Sequence, residues 1–322
     1  MSALQVCILG GTGFIGTELA SRLTRAGHAV RILTRRLAAA GHLRVLPQVE
    51  VIVANVHEPA VLSRHLAGVD VAINLVGILN ESGRSGAGFR RAHTELTEKL
   101  IAAAQQQRVE RLLQMSSLGA AVDGPSHYLR SKGAAERAIR AAPNNLDYTI
   151  FRPSVVFGPR DSLTNRFAGL LRLSGGVLPL ARPDARMSPI FVGDVAEAFV
   201  RALHGGATSR QSYDLCGPEV MTLEAIVRKT AQCAGLPCHI IRLPDFVARI
   251  QAFVMDFLPG KPFSTDNYRS LSVDNVCVDN GCARLDLTPL SMDAVLPGFL
   301  GAAAREAKLD AARSRVGRPD LQ

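Results

Sequence analysis

Tyr128 and Lys132 stand four residues apart in the stretch Tyr128-Leu129-Arg130-Ser131-Lys132. On a helix that spacing puts phenol and ammonium on one face. A neighbouring cation favours phenolate and brings a tyrosine towards the range where it exchanges a proton with a substrate oxygen. Ser116 and Ser117 close an apolar run ending at Met115 and could add a hydroxyl to the same pocket. The other reading of the serine pair is a turn or helix cap.

A second set of residues is suited to holding a ligand. Gly10-Gly11-Thr12-Gly13-Phe14-Ile15-Gly16 follows the apolar run Val6 to Leu9 and leads into 17–26, where Leu19, Ala20 and Leu23 recur at helical spacing. Strand, glycine turn and helix form the setting in which such a motif binds a dinucleotide. One glycine permits the tight turn, another lets the backbone approach the pyrophosphate, and Gly16 lets helix and strand pack closely. The phosphates then sit at the helix N-terminus, where free N–H groups and the dipole favour negative charge. Gly10, Thr12, Gly13, Phe14, Ile15 and Gly16 are therefore candidate cofactor contacts. The next strand, 29–33, runs into Thr34-Arg35-Arg36 with no carboxylate. An acidic residue there would hold the 2′-hydroxyl of NAD, whereas a guanidinium matches the 2′-phosphate of NADP. Arg35 and Arg36 thus point to NADP(H), with NAD(H) as the alternative; the plainer reading is an exposed basic loop.

These side chains need a scaffold, and the first half supplies one in regular alternation. Strand-like runs lie at 5–9, 29–33, 49–53, 69–75, 111–115 and 147–151, with helical stretches at 14–25, 59–66, 89–107 and 128–141. Strands alternating with helices predict an α/β fold, a Rossmann-type doubly wound parallel sheet. Several strands are apolar throughout, as a sheet covered on both faces requires. After Pro153 glycine and proline become frequent, and helices are expected at 192–203, 222–234, 244–257 and 301–312. The expected division is a dinucleotide-binding domain over 1–152, to which parts of 186–216 return, and a smaller C-terminal lobe over 153–322 closing over the reactive end of the cofactor.

The 322 residues carry a net charge of +9, mostly from dispersed arginines, and only 5% are aromatic, with no tryptophan. Neither a basic block nor a stacking platform for bases stands out, so nucleic acid is not expected as a partner. A loose preference for anionic ligands or an anionic membrane surface remains. No run approaches the roughly 18 apolar residues of a membrane span. The opening residues lack the pattern of a signal peptide, so a cytoplasmic location is expected. Cysteines fall at 7, 216, 233, 238, 277 and 282, giving two C-x4-C pairs, one beside His239. The short knuckle spacing of zinc sites is missing. The cysteines read as small core hydrophobes, with neither a metal nor a structural disulfide expected.

Together these features resemble the extended short-chain dehydrogenase/reductase superfamily, of the epimerase/dehydratase kind. The resemblance covers most of the chain. It rests on Gly10, Gly13 and Gly16, on Asn74-Leu75-Val76-Gly77, on Tyr128 with Lys132, and on Phe151-Arg152-Pro153-Ser154-Val155-Val156-Phe157-Gly158-Pro159. Within it, Ser116-Ser117-Leu118-Gly119-Ala120, Phe263-Ser264-Thr265-Asp266-Asn267-Tyr268-Arg269 and Ser272-Val273-Asp274-Asn275 look like the atypical branch containing the NADPH-binding accessory subunit of respiratory complex I. The resemblance implies a cofactor held by the glycine loop, by Asn55 and Val56 near the adenine, by Leu75, Val76 and Gly77, and at Pro153. It also implies that Lys132 bridges the nicotinamide ribose and that Tyr128 serves as acid or base with Ser117. Asn55 replaces the usual acidic residue, and Leu118 falls where active enzymes carry the catalytic hydroxyl unless the register shifts by one to Ser117.

The function that the resemblance implies is that of an NADP(H)-binding accessory, assembly or redox-sensing factor tied to respiratory complex I or quinone metabolism, peripheral at the inner face of the membrane. The alternative is an active NADPH-dependent reductase or epimerase of a carbonyl or nucleotide-sugar substrate, using Tyr128 and Lys132. In 246–258 the apolar residues 246, 250, 253, 254 and 257 share one helical face. That face is expected to pack onto the core of its own lobe; the other reading is a membrane-surface or quinone-facing helix.

Overall fold

The computed structural model describes residues 3–259 and 261–301. Its first half contains β1 (Gln5–Leu9), α1 (Phe14–Arg25), β2 (Ala29–Thr34), β3 (Val49–Val53), α2 (Pro59–Leu66), β4 (Val71–Asn74), a single turn α3 (Ala87–Phe89), α4 (Leu96–Gln106), β5 (Arg111–Met115), α5 (His127–Arg140) and β6 (Asp147–Pro153). The second half adds β7 (Val156–Phe157), α6 (Thr164–Leu173), β8 (Val177–Leu180), β9 (Arg186–Met187), β10 (Ile190–Phe191), α7 (Val192–Arg201) and β11 (Gln211–Leu215). It continues with β12 (Met221–Thr222), α8 (Leu223–Ala234), β13 (His239–Arg242), α9 (Asp245–Met255), α10 (Thr265–Ser270), α11 (Met292–Val295) and α12 (Pro297–Leu300). The main sheet runs β3-β2-β1-β4-β5-β6-β11, and every pairing in it is parallel. This is the doubly wound α/β fold that the strand–helix alternation predicts.

The apolar strands are explained by what covers them. In β1, Val6 and Ile8 enter a core with Leu19 and Leu23 of α1 and Val195 and Phe199 of α7. Cys7 and Leu9 enter the opposite core, with Leu62 of α2, Leu100 of α4 and Ile139 of α5. Alternate side chains of one strand thus meet helices on opposite faces. Each fully buried leucine in these layers contributes about 2 kcal/mol. The order reverses between β1 and β4, and ligands of such sheets bind at that switch point, beyond the carboxyl ends of the strands. A separate core lies between α6, α8, β8 and the α11–α12 region in the second half.

Three expectations change. The helix predicted over 89–107 is interrupted by a π-helical segment at Arg90–Glu95, which carries Ala92 and His93 into the interior. Cys216 and Cys277 form a disulfide across 61 residues of chain. The cause is topological. Cys216 directly follows β11, and the Asn280 side chain bonds both its N–H and its carbonyl, drawing 277–282 alongside. The apolar face of 246–258 is turned outward rather than onto the lobe core: Phe246, Ile250, Phe253, Val254 and Phe257 are all exposed, and the helix buries Ala248 and Ala252 instead. Those two alanines form an opposing face with room to pack closely, so the bulky side chains are left outside. The helix expected at 301–312 lies, from 302 on, outside the described residues.

Candidate nucleotide-binding and proton-transfer site

The glycine loop joins β1 to α1 at the switch point. Gly10 adopts φ +80°, and a Cβ there would come within 3.0 Å of the Leu75 carbonyl carbon and the Val76 nitrogen. A Cβ on Gly16 would come within 2.5 Å of the Gly11 Cα. The two glycines therefore let the loop lie against the end of β4 and let α1 lie against the loop. The turn is closed by the Gly13 N–H donating to the Gly10 carbonyl at 3.0 Å. Gly13 then caps α1 without a side-chain hydrogen bond, so the first-turn N–H groups have no side-chain cap. Thr12 Oγ1 lies 3.5 Å from Thr34 Oγ1. Phe14 faces Gly158, and Ile15 packs on the α1 core.

Beyond the carboxyl end of β2, Arg35 and Arg36 are both exposed. Thr34 Oγ1 fixes their turn through the Arg36 N–H at 3.3 Å. Asn55 donates to Glu58 at 2.7 Å and accepts from the His57 N–H at 3.2 Å, so its side chain shapes the turn into α2; Val56 beside it is buried. Motif reading does not reach the basic residues that join this corner. Lys99 Nζ donates to the His57 carbonyl at 3.0 Å. Burial lowers the His57 pKa, and the charges of Arg91, Lys99 and Arg35 lower it further. His57 Nδ1 is buried with no hydrogen-bond partner among the described residues.

Beyond β4 the backbone is held by a polar network. Asn74 donates to Thr97 and Gln114 and accepts the Val76 N–H at 3.1 Å. Leu75 N–H donates to the Leu9 carbonyl. The Ile78 N–H donates to His93 Nε2 at 3.1 Å, so Nδ1 carries the ring proton and donates to Ser131 Oγ at 2.8 Å. Burial and the charge of Lys132 push the His93 pKa down to about 2, keeping the ring neutral. Sequence pattern does not single out His93, because a lone histidine carries no spacing signal; the π-helical segment places it here.

Tyr128, Lys132 and Ser117 come together on the open side of this network. Lys132 is 3% exposed and donates to the Met115 carbonyl at 3.1 Å. Burial pushes its pKa down to about 8, against the opposing pull of Glu136. A Cβ on Gly77 would stand 3.4 Å from Lys132 Nζ, so glycine keeps the space before the ammonium clear. The Tyr128 ring meets His93 edge-on at 5.5 Å and Phe89 at 6.1 Å. Its phenol pKa is raised by burial, with the nearby Ser117 hydroxyl pulling the other way. Ser116 instead donates to Glu136 at 2.6 Å, and Leu118 is buried with its N–H on the Pro153 carbonyl at 3.0 Å. Ser117 Oγ donates to the Leu118 carbonyl at 3.2 Å, and of the three neighbours it is the one whose hydroxyl bears on the Tyr128 phenol.

The second half reaches over this end. Asp266 of α10 accepts the N–H groups of His127 and Tyr128 at 2.7 and 3.0 Å, capping α5 together with Ser126. Asn267 donates to the Leu79 carbonyl, Asn80 to the Lys261 carbonyl, and Lys261 Nζ to the Gly83 carbonyl. The loop after β4 and the 261–270 segment are thereby bonded to each other, with a cavity of about 100 Å³ between them lined by Arg84, Phe89, His127 and Asp256. Asp266 carries no local pattern that predicts this role.

A family model described as NAD(P)H-binding matches residues 10–204. The chain is 28% identical over 307 residues to NADH dehydrogenase (ubiquinone) 1 alpha subcomplex subunit 9, mitochondrial, of Arabidopsis thaliana, covering 90% of this chain and 75% of that one. It is 32% identical over 243 residues to ceramide reductase of Caulobacter vibrioides, covering 74% of each. Among solved structures, UDP-glucose 4-epimerase of Thermotoga maritima superposes with a TM-score of 0.72 at 16% identity, over 95% of this chain and 100% of that one. The NAD-bound DesIV double mutant of Streptomyces venezuelae gives 0.72 at 19% identity, over 92% and 95%. At those identities the structural likeness speaks for the fold.

Proposed function

The chain belongs to the NAD(P)H-binding family, on the extended short-chain dehydrogenase/reductase fold, and from that premise we propose that it retains NADP(H) as an accessory, assembly or redox-sensing factor of respiratory complex I or quinone metabolism. The observation that carries this reading is the bonding of 261–270 to both α5, at Tyr128, and the loop after β4, a cover over the Tyr128 side of the site that suits a held cofactor. That segment lies in the half into which the likeness to the plant mitochondrial subunit continues.

The residues present fit a dinucleotide. The uncapped start of α1 takes the pyrophosphate. Gly77 leaves open the space in front of Lys132, whose ammonium has three donors and uses one on Met115, leaving two for ribose hydroxyls. Leu75 to Gly77 and Pro153 flank that path, and Asn55 with Val56 borders the adenine. Arg35 and Arg36 take the 2′-phosphate, which gives the preference for NADP(H) over NAD(H). When bound, the nicotinamide supplies or accepts a hydride. The division of labour assigns 1–152, with parts of 186–216, to the cofactor and the rest to partner or substrate. The protein's place is the cytoplasmic side of the membrane, as a peripheral protein.

A second reading, an active reductase of a carbonyl substrate, is favoured by the Ser117 hydroxyl near Tyr128, on the same helix face as Lys132, and by the likeness to the ceramide reductase. There Tyr128 gives its phenolic proton to the developing alkoxide. Native mass spectrometry of freshly purified protein, with NADPH fluorescence, separates the two. Retained NADPH that neither exchanges nor oxidises with carbonyls or quinones supports the accessory reading. Reversible binding with turnover, abolished in Tyr128→Phe at near-unchanged NADPH affinity, replaces it with the reductase. A protein that takes up neither dinucleotide overturns both.

A further inference from the structure

Helix α9 is amphipathic in the inverted sense. Towards its own lobe it presents Ala248 and Ala252, packed with Ala181 and Tyr268. Outward it presents Phe246, Ile250, Phe253 and Val254, continued past its end by Phe257 and Leu258, all between 47% and 67% exposed. Six large apolar side chains on one short stretch make a contiguous patch rather than scattered surface residues.

The charge beside this patch has a definite arrangement. The Arg84 guanidinium, from the loop after β4, lies over both Phe253 and Phe257, 4.8 and 5.1 Å from their centroids. The neighbouring carboxylates are engaged within the protein. Asp256 accepts from Thr265 and lies 3.8 Å from Arg84, while Asp245 is paired with Arg182, Arg249 and the Tyr268 hydroxyl. A cation set at the edge of an aromatic face is the complement of a phosphate above acyl chains, and the net charge of +9 has the same sign.

The size of the face argues against a second copy as its occupant. An eleven-residue helix is about 16 Å long and about 10 Å wide. One such face falls well short of the roughly 800 Å² per partner that a stable dimer buries. A helix lying in a lipid interface needs only its own apolar stripe. Among the described residues no helix is long and apolar enough to cross a membrane.

We propose that the outward face of α9, with Phe257 and Leu258, is a bilayer-docking surface occupied by the headgroup–acyl boundary of an anionic phospholipid leaflet, with Arg84 as its phosphate contact. The surface deepens the peripheral placement proposed above and makes no use of the cofactor. Arg84 and Asp256 also line the cavity next to Phe89 and His127, so docking sets that cavity at headgroup depth.

The test is flotation of the full chain with vesicles of phosphatidylcholine alone or mixed with phosphatidylglycerol, reading retained NADPH in the same fractions. The wild type is expected to float with the mixed vesicles. The F253S/F257S variant, altered only at exposed positions, is expected to bind at least about tenfold more weakly. Arg84→Gln is expected to lose the preference for phosphatidylglycerol. A wild type that stays unbound with both vesicles, or a double variant that floats equally well, overturns the proposal. A dimer formed without lipid and abolished in F253S/F257S also overturns it, giving the face to a second copy. Failure to float with NADPH retained removes the docking surface alone, whereas loss of NADPH with flotation intact removes the cofactor reading alone.

Discussion

Lys132 and Glu136 sit one turn apart on α5, both buried, and the protein surrounds them differently. The Glu136 carboxylate is 1% exposed and accepts from Ser116, from Arg140 and from two nitrogens of Arg152. The Lys132 ammonium is nearly as deep and, among the described residues, gives a single hydrogen bond, to a backbone carbonyl. Taking a charge out of water is costly unless partners replace the water. An ion that serves the architecture is therefore enclosed until its bonding capacity is used. An ion with donors left in reserve lowers its pKa instead, as Lys132 does, which is what the proposed ligand role requires.

The largest effect that would test this contrast is on Glu136. Glu136→Gln leaves half-buried Arg152 with only the more distant Asp214, at 3.7 Å, as counter-charge and is expected to cost about 3 kcal/mol in urea unfolding. Lys132→Met is expected to leave the apo-protein as stable as before or more so, while weakening NADPH by about ten- to a hundredfold in calorimetric titration. Equal destabilisation by both changes would abolish the distinction. A pH series sharpens it. The Lys132 pKa is lowered in the folded state from 10.5 to about 8, so between those values the unfolded chain binds more protons and stability rises with pH. Lys132→Met should flatten that rise. The ammonium's contribution to NADPH binding should fade as pH passes about 8.

Smaller effects probe the two ends of the cofactor path. Replacing Arg35 and Arg36 together by alanine is expected to weaken NADPH about tenfold more than NADH. Uniform loss would show that the pair is only an exposed basic loop. Asp266→Ala removes the carboxylate that caps α5 from the other half of the molecule and should cost about 1 kcal/mol, seen as a lower melting temperature. No change there would mean that Ser126 caps the helix alone.

Where structure is set by local pattern, the chain is readable from its residues alone. β1, β3, β5, α1 and α2 occupy the predicted residues, because periodicity and glycine turns are properties of a short window. The shared face of Tyr128 and Lys132 is of the same kind. His93 is not readable, since its place depends on a π-helical segment that no residue type announces. Asp266 acts across 139 positions on the N–H of His127, and Cys216 meets Cys277 across 61, so both depend on how the second half lies on the sheet. In α9 the period identifies which residues share a face but not which way that face turns. Ala248 and Ala252 form an equally regular opposite face, and close packing through small side chains wins.

The Cys216–Cys277 disulfide has a mechanical consequence. The loop it closes contains α8, α9 and α10. Without the clasp, tension on α9 could draw out its 61 residues to a contour of roughly 200 Å before reaching the segment beyond Cys277. With it, the load path passes directly from the end of β11 to Cys277 and bypasses the lobe. Asn280, three residues beyond Cys277, bonds the end of β11 through the backbone of Cys216, so the clasp and this pair of hydrogen bonds hold the same point of the sheet.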